Sequence, residues 1–164
     1  MAARPKLDEF ELIARYFLPL SVDLCGALGL RDDAGLLPPS PGAVHVLSTD
    51  TLISGIHFFP DVTPDLIARK LIRVNLSDLA AMGADPIAYL LALSLPDGFK
   101  ETWIQEFAIG LAQDQKEFEF RILGGDTTAT PGPLSLTMTA IGKVETGKEL
   151  RRSGARPGDT VFVS

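Results

Sequence analysis

The chain has 164 residues, with 15 Lys and Arg against 21 Asp and Glu, so its formal net charge is −6 at pH 7. A chain of this length can form one domain with a substantial hydrophobic core. The negative charge argues against a nucleic-acid-binding module, which needs a basic face, and against polybasic docking to a membrane. It does not exclude polyphosphate ligands, because divalent cations can bridge two sets of negative charge.

Hydropathy and cysteine content indicate a soluble, cytoplasmic protein. Hydrophobic residues make up 46% of the chain and charged residues 22%, which is typical of globular proteins. The longest apolar stretch, 87–95, is far shorter than the roughly 20 residues that span a bilayer. The N-terminal sequence MAARPKLDEF has no apolar signal region, and the single Cys25 excludes an intrachain disulfide.

Local patterns predict alternating helices and strands. Apolar spacing and the helix-start sequence Thr63-Pro64-Asp65 predict helices over 8–18, about 64–82 and 101–118. Alternation and apolar runs predict strands over 43–52, 87–95, 121–123, 133–144 and 160–164. This order predicts an α+β or mixed α/β domain. Because the chain ends inside a predicted strand, we expect a fragment of a longer protein.

Aspartates fall where the predicted elements end. Asp32 and Asp33 lie in the polar loop 31–42, Asp50 ends a strand, and Asp126 follows two glycines. Asp78 lies on a helix among apolar residues, where an unpaired carboxylate is costly. Carboxylates at several such positions suggest a hard-cation site of the kind Mg²⁺ prefers. Each aspartate also has a plain alternative as a turn residue, a strand end or a solvated helix position.

The side-chain periods of strands, two residues, and of helices, about 3.6 residues, predict which of these residues share a face. Ser48 and Asp50 lie on one face of their strand and Thr49 on the other, whereas Asn75 and Asp78 share one helix face. The sequence GGDTT (124–128), which follows the short strand 121–123, is either a phosphate-binding nest of backbone amides or a tight turn that needs positive φ.

Other phosphate-binding signals are weak or absent. Gly147-Lys148-Glu149 does not complete a Walker-type loop, and no G-x-G-x-x-G follows a strand. Arg151 and Arg152 could hold a phosphate or form a solvated pair. His57, between apolar pairs in ISGIHFFP, is on sequence alone a structural or surface residue rather than a ligand.

Four motifs in a fixed order resemble the N-terminal domain of the thiamine-monophosphate kinase family. They are STDTLISGIHF, RVNLSDLAAMGADP, ILGGDTT followed by PLSLT, and RRSGARPGD. The resemblance covers nearly all of the chain from Phe10 to Ser164. The wider superfamily includes aminoimidazole ribonucleotide synthetase, selenophosphate synthetase and a hydrogenase-maturation factor.

The resemblance implies a fold, an activity and a set of site residues. The fold is an α+β domain, with a mixed, mainly antiparallel sheet packed by helices, whose sheet pairs with a second subunit in a homodimer. Residues 1–164 would form the N-terminal ATP- and Mg²⁺-binding domain, and the C-terminal domain is absent. The activity is transfer of a phosphoryl group from ATP to thiamine monophosphate, with no general base. Implied roles are Mg²⁺ binding for Asp33, Ser48, Thr49, Asp50, Asp78 and Asp126, nucleotide binding for Gly125, Asp126 and Arg152, and substrate binding for His57.

Two positions depart from the family pattern. Arg31 stands where the family often has glycine or another small residue. The chain also reads GGDTTATPGPLS where GGDTTRGPLS is common, so an arginine is missing and the turn is longer. Two alternative functions stay open. The protein could be another ATP-dependent enzyme of the same superfamily, or a fragment that acts only as a dimerising nucleotide-binding module.

Overall fold

A computed structural model describes residues 8–161, so most of the predicted strand 160–164 lies outside the described residues. Three α-helices and four strands form the regular structure. They are α1 (Glu9–Leu12), β1 (Ala43–Ile53), α2 (Pro64–Ala81), β2 (Asp85–Pro96), α3 (Glu101–Phe118), β3 (Arg121–Thr130) and β4 (Ser135–Glu145). The predicted helix 8–18 is helical but irregular, because a π-helical turn and a 3₁₀ turn follow α1.

The strands form one mixed sheet in the order β1-β4-β2-β3. β4 pairs antiparallel with both β1 and β2, whereas β2 and β3 are parallel. The α+β class with a mixed, mainly antiparallel sheet is therefore confirmed. The sheet has β1 and β3 at its edges, and because β2 and β3 are parallel, their carboxyl ends lie at the same end of the sheet.

The prediction of a short strand and a turn at GGDTT is wrong. β3 continues through these residues to Thr130, and Leu91 and Ala92 of β2 lie opposite Gly125 and Asp126. Neither Gly124 nor Gly125 has a positive φ. The close approach of β2 explains Gly125 instead, because a Cβ there would lie 1.9 Å from the Leu91 carbonyl oxygen.

Helices α2 and α3 pack against each other and cover one face of the sheet. The core between them contains fully buried side chains such as Leu71, Phe107, Leu136 and Met138. Asp114 of α3 is also fully buried, and Arg69 and Arg73 of α2 bind its carboxylate, with Nε to oxygen distances of 3.2 and 2.7 Å. Hydrogen bonding to Asp114 raises the pKa of the Arg73 guanidinium.

The other face of the sheet is uncovered along β1 and along β2 from Leu90 onwards, whereas Ala88 of β2 is buried in a small cluster with Leu123 and Ile141. Leu47 is 66% exposed and Leu90 37% exposed on this face, next to the exposed Thr49, Thr51 and Ala92. Among the described residues, no helix is long and apolar enough to cross a membrane.

Candidate functional site

A cavity of about 550 Å³ opens on the uncovered face of the sheet, towards its β3 edge. One wall is formed by the loop that contains Asp32 and Asp33, and the other by β3 with Gly125 and Asp126. Thr137 and Thr139 of β4 also line it. The structure thus brings two of the predicted metal ligands, Asp33 and Asp126, to one cavity from distant parts of the chain.

The segment before Asp33 has an unusual backbone. Leu28, Gly29 and Leu30 all have positive φ, at 50°, 67° and 52°, and this left-handed path costs about 1–2 kcal/mol for a residue with a Cβ. Arg31 has a φ of −116°, which any residue adopts, so its backbone does not require glycine. Within residues 8–161, Arg31 forms no ion pair with Asp32 or Asp33, and all three are exposed.

Asp126 is held by the pairing of β3 with β2. It lies opposite Ala92, which in turn lies opposite Thr137 of β4, so all three share one face of the sheet. Thr137 lies opposite Thr51 of β1, with their hydroxyl oxygens 2.8 Å apart. Asp126 is therefore on the same uncovered face as the threonines of β1 and β4.

Three other predicted ligands lie together on the helix-covered side. Ser48 Oγ donates a hydrogen bond to Asp78 Oδ2 at 2.7 Å, which joins β1 to α2. Asp50 lies two residues along the same face of β1, opposite the buried Met138. The prediction that Ser48 and Asp50 lie on the same face of their strand is confirmed. We refer to Ser48, Asp50 and Asp78 as the helix-side group.

Thr49 is separated from the helix-side group by the sheet. It lies opposite Thr139, and its hydroxyl donates to the Met138 carbonyl at 3.1 Å. Its side chain therefore belongs to the uncovered face with Asp126. The six predicted metal ligands do not form a single cluster of side chains within the described chain; they divide into two groups on the two faces of the sheet.

His57 and Arg152 lie outside both groups. His57 is in the turn after β1, and its Nδ1 accepts a hydrogen bond from the Ile53 amide at 3.0 Å. Arg152 is exposed in a short 3₁₀ turn. Two residues earlier, the Leu150 amide donates to the carbonyl of Met82, just past the end of α2. That contact brings the segment next to the end of α2 that carries Asp78.

Arg151, the other half of the predicted arginine pair, is engaged elsewhere. Its guanidinium binds the Glu149 carboxylate. A backbone hydrogen bond at Glu149 itself, followed by the bond from Arg151, lowers the pKa of that carboxyl. Arg152 is therefore the better placed of the two arginines to bind a phosphate.

The donor set suits Mg²⁺ bound together with phosphate. Within residues 8–161, no three His, Cys, Asp or Glu side chains come close enough to share one ion. Mg²⁺ does not need such a group, because it keeps several waters and is usually bound through one or two carboxylates plus substrate phosphates. Asp33 and Asp126 both line the cavity, and Asp50 and Asp78 lie on the helix side, so each place has two carboxylates.

One buried atom near the helix-side group lacks a partner. Asn75 is fully buried one helical turn before Asp78, and its Nδ2 donates to the Leu71 carbonyl at 2.9 Å. Its Oδ1 has no hydrogen-bond partner within the described chain. An unsatisfied buried acceptor is costly, which is typical of a place where water or a bound ion completes the hydrogen bonding.

Comparison with known proteins decides the family. The family model "AIR synthase related protein, N-terminal domain" matches residues 31–144, which include all six predicted metal ligands. The chain belongs to this family. Its members share the fold described above, and the matched region begins at Arg31, directly before the paired aspartates.

Several similar relatives share one name. The chain is 47% identical over 157 residues to the thiamine-monophosphate kinase of Escherichia coli K12, covering 95% of this chain and 47% of that protein. It is 44% identical over 163 residues to that of Caulobacter vibrioides, covering 99% of this chain and 46% of the relative. A crystal structure of thiamine-monophosphate kinase from Stenotrophomonas maltophilia K279a matches with a TM-score of 0.76 and 44% identity, covering 89% of this chain and 45% of that one. The chain therefore spans about half the length of these relatives.

Some residues that line the cavity of this chain were not among the predicted site residues. Asp32, Thr137 and Thr139 line it in addition to those predicted. The strict alternation of β4 already places Ser135, Thr137 and Thr139 on one face, so a signal for the threonines was present in the sequence. The sequence did not show which strands would lie beside β4 in the sheet, and so which residues would be next to these threonines.

Proposed function

We propose that this chain is the N-terminal, nucleotide- and Mg²⁺-binding domain of a thiamine-monophosphate kinase, which transfers a phosphoryl group from ATP to thiamine monophosphate. One observation carries the proposal: the fold brings Asp33 and Asp126 to the walls of one open cavity, beside the Gly125 backbone. The names of the relatives and their identity to this chain support it. Because those relatives are about twice as long, the activity belongs to a protein that also has a second half.

The chemistry of the acceptor explains why the proposed site has metal-binding carboxylates and no general base. A phosphate oxygen is already anionic at pH 7, so the reaction needs no general base. The main difficulty is bringing two polyanions together in a transition state that depends on positioning and charge. Mg²⁺ held by the carboxylates would supply the neutralising charge.

Each side chain then has a role in binding. Asp126 and Asp33 would hold Mg²⁺ against the nucleotide phosphates, with Thr49 on the same face of the sheet. Ser48, Asp50 and Asp78 would hold further Mg²⁺ on the helix side, where the Ser48 hydroxyl orients the Asp78 carboxylate. Arg152 would bind the nucleotide phosphates, and His57 the phosphate of thiamine monophosphate.

The uncovered sheet face favours a homodimer. β1 is an edge strand of 11 residues, Ala43–Ile53, with no pairing along its outer side within the described chain. Natural proteins rarely leave a long edge strand and an apolar face exposed. A second copy would cover both, and we propose that the dimer acts in the cytoplasm.

An acceptor panel tests the function. The protein at its full natural length is mixed with labelled ATP and Mg²⁺, and transfer is measured to thiamine monophosphate, to an amidine precursor and to selenide. We expect transfer to thiamine monophosphate alone, lost when a chelator removes the metal. Transfer to another acceptor would instead support a different enzyme of the superfamily, and nucleotide binding without any transfer would support a binding module.

A further inference from the structure

The turn after β1 is closed by its own backbone. The amides of Ile56 and His57 both donate to the Ile53 carbonyl, at 3.1 and 2.8 Å, and the Gly55 amide donates to the Phe58 carbonyl at 2.9 Å. Gly55 has a φ of +79°, a conformation that favours glycine. Phe58 is only 8% exposed and packs into the core. The turn from Ile53 to Phe58 is thus a small ordered unit and not a loose connection.

The same turn fixes the protonation pattern of His57. The Ile53 amide donates to Nδ1 at 3.0 Å. An amide can only donate, so Nδ1 must carry no proton while this bond exists. The neutral ring then has its proton on Nε2, which has no hydrogen-bond partner within the described chain, and the residue is exposed. His57 consequently presents one N–H donor to a ligand.

Lys70 ties this turn to α2. Its ammonium group donates to the His57 carbonyl oxygen, which lies on the residue that carries the imidazole. Lys70 is next to Leu71, which is fully buried, so its backbone belongs to the rigid core helix. The side chain therefore holds the peptide of His57 against α2, and with it the ring position at which Nδ1 accepts from the Ile53 amide.

The surroundings of the donor suit an organic phosphate. Ile56 and Phe59, on either side of His57 and Phe58, are 73% and 76% exposed. Large apolar side chains that are this exposed next to a single polar donor are typical of a binding surface. The Lys70 charge nearby also favours an anion.

We propose that Lys70 is a positioning residue, which holds His57 as a neutral Nε2–H donor for a phosphate oxygen of a phosphate ester that has an aromatic heterocyclic group. The inference rests on the proposed function, in which that ester is thiamine monophosphate. Lys70 acts through the peptide of His57 and not by touching the ligand. It sets the direction of the donor, so it contributes to substrate binding more than to the chemical step.

The first test reads the His57 ring directly in the chain without ligand. Nitrogen-15 NMR at mildly alkaline pH, where free imidazole is neutral, distinguishes the two tautomers. We expect the Nε2–H tautomer in the wild type, a mixture of tautomers in Lys70→Met, and recovery in Lys70→Arg, which keeps a donor. Lys116→Met removes an exposed lysine from α3 and is the matched control, with a wild-type spectrum expected. A His57 ring protonated on Nδ1, or a Lys70→Met spectrum equal to that of the control, would overturn the proposal.

The second test separates this inference from the proposed function. In the protein at full natural length, we expect Lys70→Met to raise KM for thiamine monophosphate about tenfold with kcat nearly unchanged, because a binding interaction common to ground and transition states is weakened. An unchanged KM would overturn the role of Lys70. If the wild type does not bind or phosphorylate thiamine monophosphate while the tautomer results hold, the proposed function fails and the positioning of His57 by Lys70 stands.

Discussion

Replacing Gly125 with alanine should destabilise the domain by more than about 3 kcal/mol or prevent its folding. A Cβ at this position would lie 1.9 Å from the Leu91 carbonyl oxygen and 2.8 Å from its carbonyl carbon. Both atoms belong to the backbone of β2, so no side-chain rotation can relieve the contact. β3 would have to move away from β2, and Asp126 would move with it. Urea unfolding followed by circular dichroism measures the loss.

The neighbouring glycine provides a matched control. A Cβ at Gly124 would lie 3.4 Å from Leu90 Cδ2, the end of a flexible side chain. Gly124→Ala should therefore change the free energy of unfolding by less than about 1 kcal/mol, because alanine also lowers the entropy of the unfolded chain. Equal stability of the two variants would contradict the parallel pairing of β2 and β3 that forms this side of the cavity.

Replacing Asp126 with asparagine should lower the rate of phosphoryl transfer at least about 100-fold. This is the usual effect of removing one group that stabilises charge in a transition state. The change keeps the shape of the side chain but removes the charge that would hold Mg²⁺. Asp126 is exposed on a paired strand, so the fold should persist. The rate is measured with ATP, Mg²⁺ and thiamine monophosphate in the protein at full natural length.

Asp97→Asn is the control for the loss of one negative charge. Asp97 is exposed in the turn between β2 and α3. It does not line the cavity and does not belong to the helix-side group. Its variant should transfer phosphate at the wild-type rate. If Asp126→Asn kept more than half of the wild-type rate, Asp126 could not be a required metal ligand.

The helices of the fold could be predicted because their signals are local. Apolar spacing and the Thr63-Pro64 start define α2, and the same spacing defines α3, to within one residue of the structure. Alternation in β1 likewise predicted that Ser48 and Asp50 share one face and that Thr49 lies on the other. These arguments need only neighbours in the sequence.

The error at GGDTT came from a constraint that is not local. Gly-Gly-Asp is a common turn sequence, but here Gly125 is required by the backbone of Leu91, which belongs to a different strand. The joining of Asp33 and Asp126 in one cavity is not local either, because the loop that carries Asp33 packs against Leu123 of β3. The resemblance to a known family could assign both residues to one site, whereas their spacing alone could not.

The central claim is that this chain carries a site at which Mg²⁺ and a nucleotide bind together. Its most direct test is the thermal unfolding of the chain with a non-hydrolysable ATP analogue, with and without Mg²⁺, in the wild type and in Asp126→Asn. At a ligand concentration one hundred times Kd, binding stabilises the folded state by about 2.7 kcal/mol. We expect a rise in Tm for the wild type that requires both Mg²⁺ and the analogue and is lost in the variant. A wild-type Tm that does not change, or an equal rise in the variant, would contradict the claim.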